Sequence, residues 1–263
     1  MAGTIRTGIG GWTYEPWRGT FYPEGLRQAD ELRYAVARLG TIEINATYYR
    51  LQKPESFAAW GEAAPEGFRF SVKAARYCTN RKDLSEAGDA VNRFFGQGIE
   101  ELGDRLGPIV WQFAPTKGFE PGEFGAFLDL LPRRCGGLEP RHALEVRHES
   151  FACEEFVALA RRHGMAIVFA DHEHYPQIAD VTADFVYARL MRSEEVVETG
   201  YGAEALEDWA RTARAWRDGV APKHVDYLSA DTLPADGRDV FVYMTNGAKI
   251  RAPAAAMALA RLL

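Results

Sequence analysis

Ionisable side chains recur near the carboxyl ends of short apolar segments along most of the chain. Glu43, Glu145 and Lys73 are candidate catalytic residues, because carboxylates and amines exchange protons and a desolvated lysine can attack a carbonyl carbon. Other side chains at neighbouring positions are predicted to bind the substrate: Asn45, Tyr48, Arg50, Arg76, Gln112, Arg147, Asp171, Arg189 and Asn246. These residue types suit acid–base chemistry on a small charged molecule.

Cations outnumber carboxylates in this set. Five basic residues stand against three acidic ones: Arg50, Lys73, Arg76, Arg147 and Arg189 against Glu43, Glu145 and Asp171. A local excess of fixed positive charge favours an anionic ligand, because arginine forks bind phosphate or carboxylate through paired hydrogen bonds. The competing interpretation is a network of ion pairs that neutralise one another.

The acidic and basic members each have two alternative roles. Glu43 and Glu145 can divide acid and base functions when their surroundings separate their pKa values, or they can only orient Lys73 and Arg147. Lys73 can form a Schiff base with a carbonyl substrate, or it can simply pair with a glutamate.

The run Asp171-His172-Glu173-His174 raises the question of a metal. Along a strand, the two acidic residues share one face and the two histidines the other, so the tetrapeptide alone cannot supply four ligands. No cofactor is predicted. The alternative is a divalent metal held by Glu43, Glu145, Asp171 and one histidine, which would activate water for phosphodiester cleavage.

The elements that must position these residues alternate along the chain. Runs rich in Val, Ile, Phe and Tyr predict eight strands: Thr7–Gly10, Thr41–Ala46, Phe68–Lys73, Pro108–Phe113, His142–Arg147, Ala166–Asp171, Asp184–Arg189 and Asp239–Thr245. Helical stretches are predicted between them: Gln28–Leu39, Ser56–Glu62, Ser85–Leu102, Pro121–Leu131, Cys153–His163, Ala203–Arg217 and Pro253–Leu262. This order predicts a single (β/α)8 TIM-type barrel over residues 1–263. A doubly wound open sheet is the rival, and no dinucleotide or P-loop fingerprint supports it.

Alternation within the predicted strands indicates where the polar groups point. Polar residues two positions apart recur in three strands, as Glu43 with Asn45, Ser71 with Lys73, and Glu145 with Arg147. The apolar residues between them suit the outer face, which packs on helices, so the polar set is predicted to face the axis. Active sites of such barrels lie at the carboxyl ends of the strands. The sequence therefore predicts one shared site there.

Bulk properties limit the class of protein. The 263 residues carry a net charge of −6 with 47% hydrophobic residues, which is ordinary globular composition and does not favour broad nucleic-acid binding. Three cysteines without a CxxC pair indicate reduced thiols. No segment has the length and apolarity of a membrane span, so a cytoplasmic protein is predicted, and the oligomeric state is not.

Two connections exceed the usual length, Gly11–Arg27 after the first strand and Gly219–Arg238 before the last. The first is rich in aromatic residues and is predicted to fold over the barrel. Trp12, Trp17 and Phe21 are assigned to packing. Tyr48, just past the second strand, is the better candidate for contact with a ligand.

Several motifs resemble the DUF72 (YecE-like) family. They are GGWTYEPWRGTFYP at 10–23, EINATYYR at 43–50, FRFSVK at 68–73, LGP at 106–108 with Gln112, EVRH at 145–148, VYARL at 186–190, and Tyr243 with Asn246. The resemblance implies a TIM barrel of undetermined biochemical function. Asn80, Met191 and Thr245 depart from the family pattern, which often has His at the first two positions and a second Asn at the third.

Taken together, these features favour an enzyme of hydrolase type that acts on a small anionic, potentially phosphorylated, substrate. One alternative is a metal-dependent phosphodiesterase, nuclease or nucleic-acid repair protein. The other is a non-catalytic protein that binds a small molecule on an enzyme-like scaffold.

Overall fold

The apolar runs of the sequence form eight parallel strands in the structure, a computed structural model that describes residues 3–229 and 237–263. The strands are β1 (Ile5–Gly10), β2 (Thr41–Ile44), β3 (Arg69–Lys73), β4 (Leu106–Gln112), β5 (His142–Glu145), β6 (Ala166–Asp171), β7 (Phe185–Leu190) and β8 (Asp239–Met244). Each pairs with its neighbour in chain order, and β1 also pairs with β8. On β1, Gly8 is in register with Thr41 of β2 and with Tyr243 of β8, which closes the barrel as predicted.

Helices connect the strands on the outside. They are α1 (Glu31–Val36), α2 (Ala46–Tyr49), α3 (Pro54–Ala63), α4 (Arg76–Thr79), α5 (Gly88–Phe95), α6 (Pro121–Asp129), α7 (Glu154–Arg162), α8 (Ala203–Arg217) and α9 (Ala252–Arg261). Short 3-10 turns cover Glu15–Trp17, Gln28–Asp30, Ile99–Arg105, Glu149–Phe151 and Lys249–Arg251.

The predicted helix Ser85–Leu102 is wrong in its extent. It is divided into α5 and the 3-10 turn Ile99–Arg105. Gly98 separates them with a φ of +95°, a left-handed conformation that favours glycine. A Cβ at this position would lie 2.7 Å from the Pro54 side chain, so close packing also requires glycine. The apolar periodicity continued across this break and concealed it.

The strand interiors confirm the predicted alternation of faces. Outward residues such as Ile42, Ile44 and Val72 join the main hydrophobic core. The inward residues form a separate buried cluster of Val110, Ala143, Ala166, Val168, Ala183, Phe185, Tyr187, Phe241 and Tyr243. Hydrogen bonds that cross the barrel, such as the one from Tyr187 on β7 to Glu43 on β2, place polar side chains on the axis.

The aromatic connection after β1 packs on the barrel as predicted. Trp17 and Phe21 are buried, and Trp12 meets Trp60 of α3 edge-on, with ring centroids 5.4 Å apart. The Trp17 Nε1 donates a hydrogen bond to the carbonyl of Lys249 at 2.9 Å. Of the other long connection, residues 230–236 lie outside the described part of the chain. Among the residues that are described, no helix has both the length and the apolarity to cross a membrane.

Candidate functional site

A buried arginine lies between two buried glutamates at the carboxyl ends of the strands. Arg189 of β7 contacts Glu43 of β2 through Nη2, at 3.3 Å, and Glu145 of β5 through Nη1. Its Nε donates to the hydroxyl of Thr245 at 3.2 Å. Each of the three guanidinium nitrogens thus has a partner. The partner of Nε is Thr245, a position at which the chain departs from the family pattern. Arg189 holds the two carboxylates in place.

Glu145 has further partners from neighbouring strands. Arg147 contacts Oε1 through Nε and Nη2, at 2.9 and 2.6 Å, and Gln112 of β4 donates to Oε2 at 2.8 Å. Complete burial would raise the pKa of Glu145, but Arg189, Arg147 and Lys73 outweigh it and lower the pKa to about 2. Glu145 is therefore ionised at neutral pH and does not act as a proton donor there.

Two buried tyrosines of β7 and β8 lie next to Glu43 inside the barrel, and one of them bonds to it. The Tyr187 hydroxyl donates to Oε2 at 2.6 Å and lies 3.0 Å from the Ser71 hydroxyl. The ring of Tyr243 stacks on that of Tyr187, with centroids 4.7 Å apart, and its hydroxyl bonds Thr41. Burial, followed by the charge of Glu43, raises the pKa of Tyr187 well above its ordinary value. The tyrosines form a neutral, hydrogen-bonded floor under the ion cluster.

Lys73 is a buried cation without an ion-pair partner among the described residues. Its side chain at the end of β3 belongs to a residue only 9% exposed, and its Nζ lies 4.5 Å from the centre of the Tyr48 ring. The Nζ makes no hydrogen bond or ion pair with any residue that the structure describes. Burial, with repulsion from Arg189, lowers the pKa of Lys73 to about 8 despite the attraction of Glu43 and Glu145. The pKa of Lys73 is therefore closer to neutrality than that of an ordinary lysine.

An aromatic stack borders the cluster beside β5 and β6. The guanidinium of Arg147 lies 4.7 Å from the centre of the Tyr175 ring, and Tyr175 stacks on His172 at 4.0 Å with an interplanar angle of 13°. Sequence analysis missed Tyr175, because it follows β6 in an irregular connection where side-chain direction has no periodicity. It also did not place Tyr187 in the site, although the inward parity of Arg189, two residues later, predicts its direction.

The remaining predicted ligand-binding residues lie around this cluster or away from it. Asn45 is half-buried at the start of α2, and Asn246, with a φ of +59°, is exposed and donates to the Met191 sulfur at 3.4 Å. Arg50 and Arg76 are exposed and join no ion pair within the described residues. These two arginines belong to the rim and not to the buried cluster.

The structure does not bring Asp171 into the cluster. Asp171 falls on the same side of β6 as Phe169, whose ring packs outward against Trp209 of α8, and its carboxylate pairs with Arg192 at 3.0 Å. Glu43, Glu145 and Asp171 therefore do not converge, and the residues of 3–229 and 237–263 include no group of three or more His, Cys, Asp or Glu arranged to hold a metal. Arg189 supplies the positive charge that Glu43 and Glu145 share.

The charges of the cluster do not cancel. Two carboxylates, Glu43 and Glu145, face three cations, Arg147, Arg189 and protonated Lys73, which leaves one positive charge in excess. The carboxylates are fully buried, whereas Lys73 and Gln112 are each 9% exposed and Arg147 is half-buried. The arrangement offers cationic and amide donors to an anion.

Comparisons with known proteins agree with the motifs. A family model described as "Protein of unknown function DUF72" matches residues 6–263. UPF0759 protein YecE of Escherichia coli strain K12 is 31% identical over 246 residues, which cover 83% of this chain and 84% of YecE. Among solved structures, a DUF72 family protein of Thermotoga maritima MSB8 has a TM-score of 0.75 at 23% identity, covering 98% of both chains. Another, from Enterococcus faecalis V583, has a TM-score of 0.70 at 17% identity, covering 99% of this chain and 95% of that one.

Proposed function

The chain belongs to the DUF72 family, whose function is unknown, and we propose that it is an enzyme acting on a small anionic substrate at the mouth of its barrel. The substrate class is a molecule that bears a phosphate or a carboxylate. The proposed reaction is hydrolysis, with Lys73 as the proton-transfer group. The environment of Lys73 supports each part of this proposal.

The single observation that carries the proposal is that buried Lys73 has no ion-pair partner in the part of the chain that the structure describes. Burying an ammonium group is costly unless a partner compensates it, and among the described residues this one contacts the Tyr48 ring but makes no hydrogen bond or ion pair. The nearby glutamates already bind Arg189 and Arg147. An anionic ligand would supply both the missing charge and the missing hydrogen-bond acceptors.

The geometry changes the roles predicted for the charged residues. Arg189 is best assigned to positioning, since its three nitrogens contact Glu43, Glu145 and Thr245. The two glutamates likewise act through their partners, because neither is exposed to a substrate. Lys73 and Arg147 remain as groups that can touch the anion, with Gln112 and Asn45 as neutral donors beside them.

Lys73 also suits the proton transfer that hydrolysis needs. With a pKa of about 8, it is mostly protonated at pH 7 and still gives up its proton readily. In the proposed step, the oxygen of a water molecule bonds to the phosphorus or acyl carbon and that water gives up one proton to solvent. The bond to the leaving oxygen breaks, and the Lys73 proton goes to that oxygen. The resulting amine regains a proton from solvent before the next turnover.

A binding screen tests the substrate class. Thermal unfolding is followed with a collection of phosphorylated and carboxylated metabolites, and with neutral analogues of the same size. We expect anions to raise the Tm of the parent protein and of a Lys223→Met control, whose lysine is exposed. The rise should be lost in Lys73→Met. Stabilisation that persists in Lys73→Met, or that neutral analogues match, would refute the proposed site.

Prolonged incubation of each stabilising ligand with the protein separates an enzyme from a binding protein. Products are detected by mass spectrometry, with Lys73→Met as the inactive control. A ligand that binds through Lys73 but is recovered unchanged would retain the anion site and reject hydrolysis.

A further inference from the structure

The amine of Lys73 is held by no acceptor in the part of the chain that the structure describes. Its Nζ lies 4.5 Å from the centre of the Tyr48 ring and makes no hydrogen bond or ion pair there. A ring face attracts an ammonium group but leaves the lone pair of the neutral amine uncommitted. Once its proton has left, this nitrogen is therefore free to form a bond to carbon.

The surroundings of Lys73 favour the neutral amine over the ammonium. Both oxygens of Glu43 and both oxygens of Glu145 already accept hydrogen bonds from other side chains. Burial, followed by the charges of Arg189 and Arg147, lowers the pKa of Lys73 to about 8 despite the attraction of both glutamates. A useful fraction of Lys73 is therefore unprotonated near neutral pH, which a nucleophilic lysine requires.

Arg147 offers a contact for a carboxylate in the same cluster. Its Nε and Nη2 both donate to Glu145 Oε1, whereas its Nη1 makes no hydrogen bond with any residue that the structure describes. The Arg147 side chain is 16% exposed, and the centre of the Tyr175 ring lies 4.7 Å from its guanidinium. An incoming carboxylate can therefore accept from Nη1 without displacing Glu145.

We propose that Lys73 forms a Schiff base with small oxo acids, in which an aldehyde or ketone carbon is joined to a carboxylate. The carboxylate binds Arg147, and the carbonyl carbon meets the Lys73 amine. A small molecule suits this site, because the residue that carries the amine is only 9% exposed. The inference rests on the anion site of the proposed function and gives Lys73 a second reaction there.

The bonds and protons of this reaction balance without a further reactant. The Lys73 ammonium gives one proton to solvent, and the amine nitrogen bonds to the carbonyl carbon. The carbonyl oxygen takes a proton from that nitrogen and becomes a hydroxyl. This hydroxyl leaves as water with a proton from solvent, and the C=N bond forms. The resulting iminium carries one positive charge, as the ammonium did, so the Tyr48 ring still faces a cation.

Reductive trapping with glyoxylate tests the proposal. Sodium cyanoborohydride reduces the C=N bond and leaves a carboxymethyl group on the lysine, which mass spectrometry of peptides locates. At pH 7 we expect Lys73 to be labelled roughly tenfold faster than the exposed Lys223 of the same molecules, since Lys73 loses its proton more readily than an ordinary lysine. Glycolaldehyde, a neutral aldehyde of similar size, should show a smaller preference for Lys73. Labelling in concentrated urea should show none, because the preference depends on the fold.

Labelling of Lys73 that is no faster than that of Lys223 would overturn the Schiff base, as would an equal preference with glycolaldehyde. Glycolate separates this result from the anion site, because it keeps the carboxylate and has an alcohol in place of the aldehyde. If glycolate raises the Tm of the parent protein but not of Lys73→Met, and Lys73 is not labelled, the Schiff base fails and the proposed function stands. If neither glycolate nor any anion of the binding screen raises the Tm of the parent protein, the anion site is refuted and both proposals fall.

Discussion

Replacing Lys73 by methionine should make the ligand-free protein more stable. Lys73 has a pKa of about 8 in the folded protein, against an ordinary value of 10.5, so the unfolded chain binds its proton more tightly. A shift of this size corresponds to about 3 kcal/mol of folding free energy lost at pH 7. Methionine removes the charge and keeps an apolar chain against Tyr48. It also removes the cation–π contact, which offsets about 1 kcal/mol of the gain.

The sign of the pH dependence follows from the same shift. Because the folded pKa lies below the unfolded one, the penalty is complete below pH 8 and is relieved as the pH rises from about 8 to 10.5. The advantage of Lys73→Met should therefore be about 2–3 kcal/mol at pH 7 and should shrink by most of that amount by pH 10. Other titrating groups affect parent and variant alike, so they largely cancel in the difference.

Urea unfolding at pH 7 and pH 10 measures both quantities. The parent protein is compared with Lys73→Met and with Lys223→Met, in which an exposed lysine is changed and stability should stay within about 0.5 kcal/mol. A Lys73→Met protein that is no more stable than the parent at pH 7 would refute the reasoning. So would an advantage that does not change with pH.

Three further results are expected. Arg189→Met should lower the free energy of unfolding by at least about 3 kcal/mol, because Glu43 and Glu145 stay buried without their shared cation; Glu145→Gln added to it should restore part of the loss in urea titrations. Tyr187→Phe should cost about 1–3 kcal/mol by the same assay, since buried Glu43 loses a hydrogen bond, and a neutral result would contradict the assigned contact. The affinity for an anion at the mouth should fall roughly tenfold between pH 7 and pH 9 as Lys73 loses its proton, and calorimetry showing constant affinity would exclude Lys73 as the anion's partner.

The barrel and most of its inward residues could be predicted because alternation along a strand is a strong geometric rule. Glu43, Lys73, Glu145 and Arg189 all face the axis as their parity indicates. Asp171 was included only because it stands at the end of a strand. Asp171 is two positions after Phe169, whose side chain points outward, so the same rule places Asp171 on the outer face.

The pairing of charges could not be predicted in the same way. A count of residues shows that cations exceed carboxylates, but the choice of partner depends on distances across the barrel, between residues far apart in sequence. Arg189 and Glu43 are 146 positions apart. The sequence alone does not show whether Glu43 pairs with Arg189 or with Lys73, and in the structure it pairs with Arg189. Tyr175 lies in an irregular connection, where no period relates position to direction.

The hydrogen bond from the Trp17 indole to the Lys249 carbonyl joins the connection after β1 to the segment after β8. During synthesis, the segment that carries Trp17 emerges well before its acceptor does. The first connection thus lacks this hydrogen bond until the segment after β8 has been made. A chain truncated just after β8 would retain all eight strands but would lack this hydrogen bond, which lies where β1 pairs with β8.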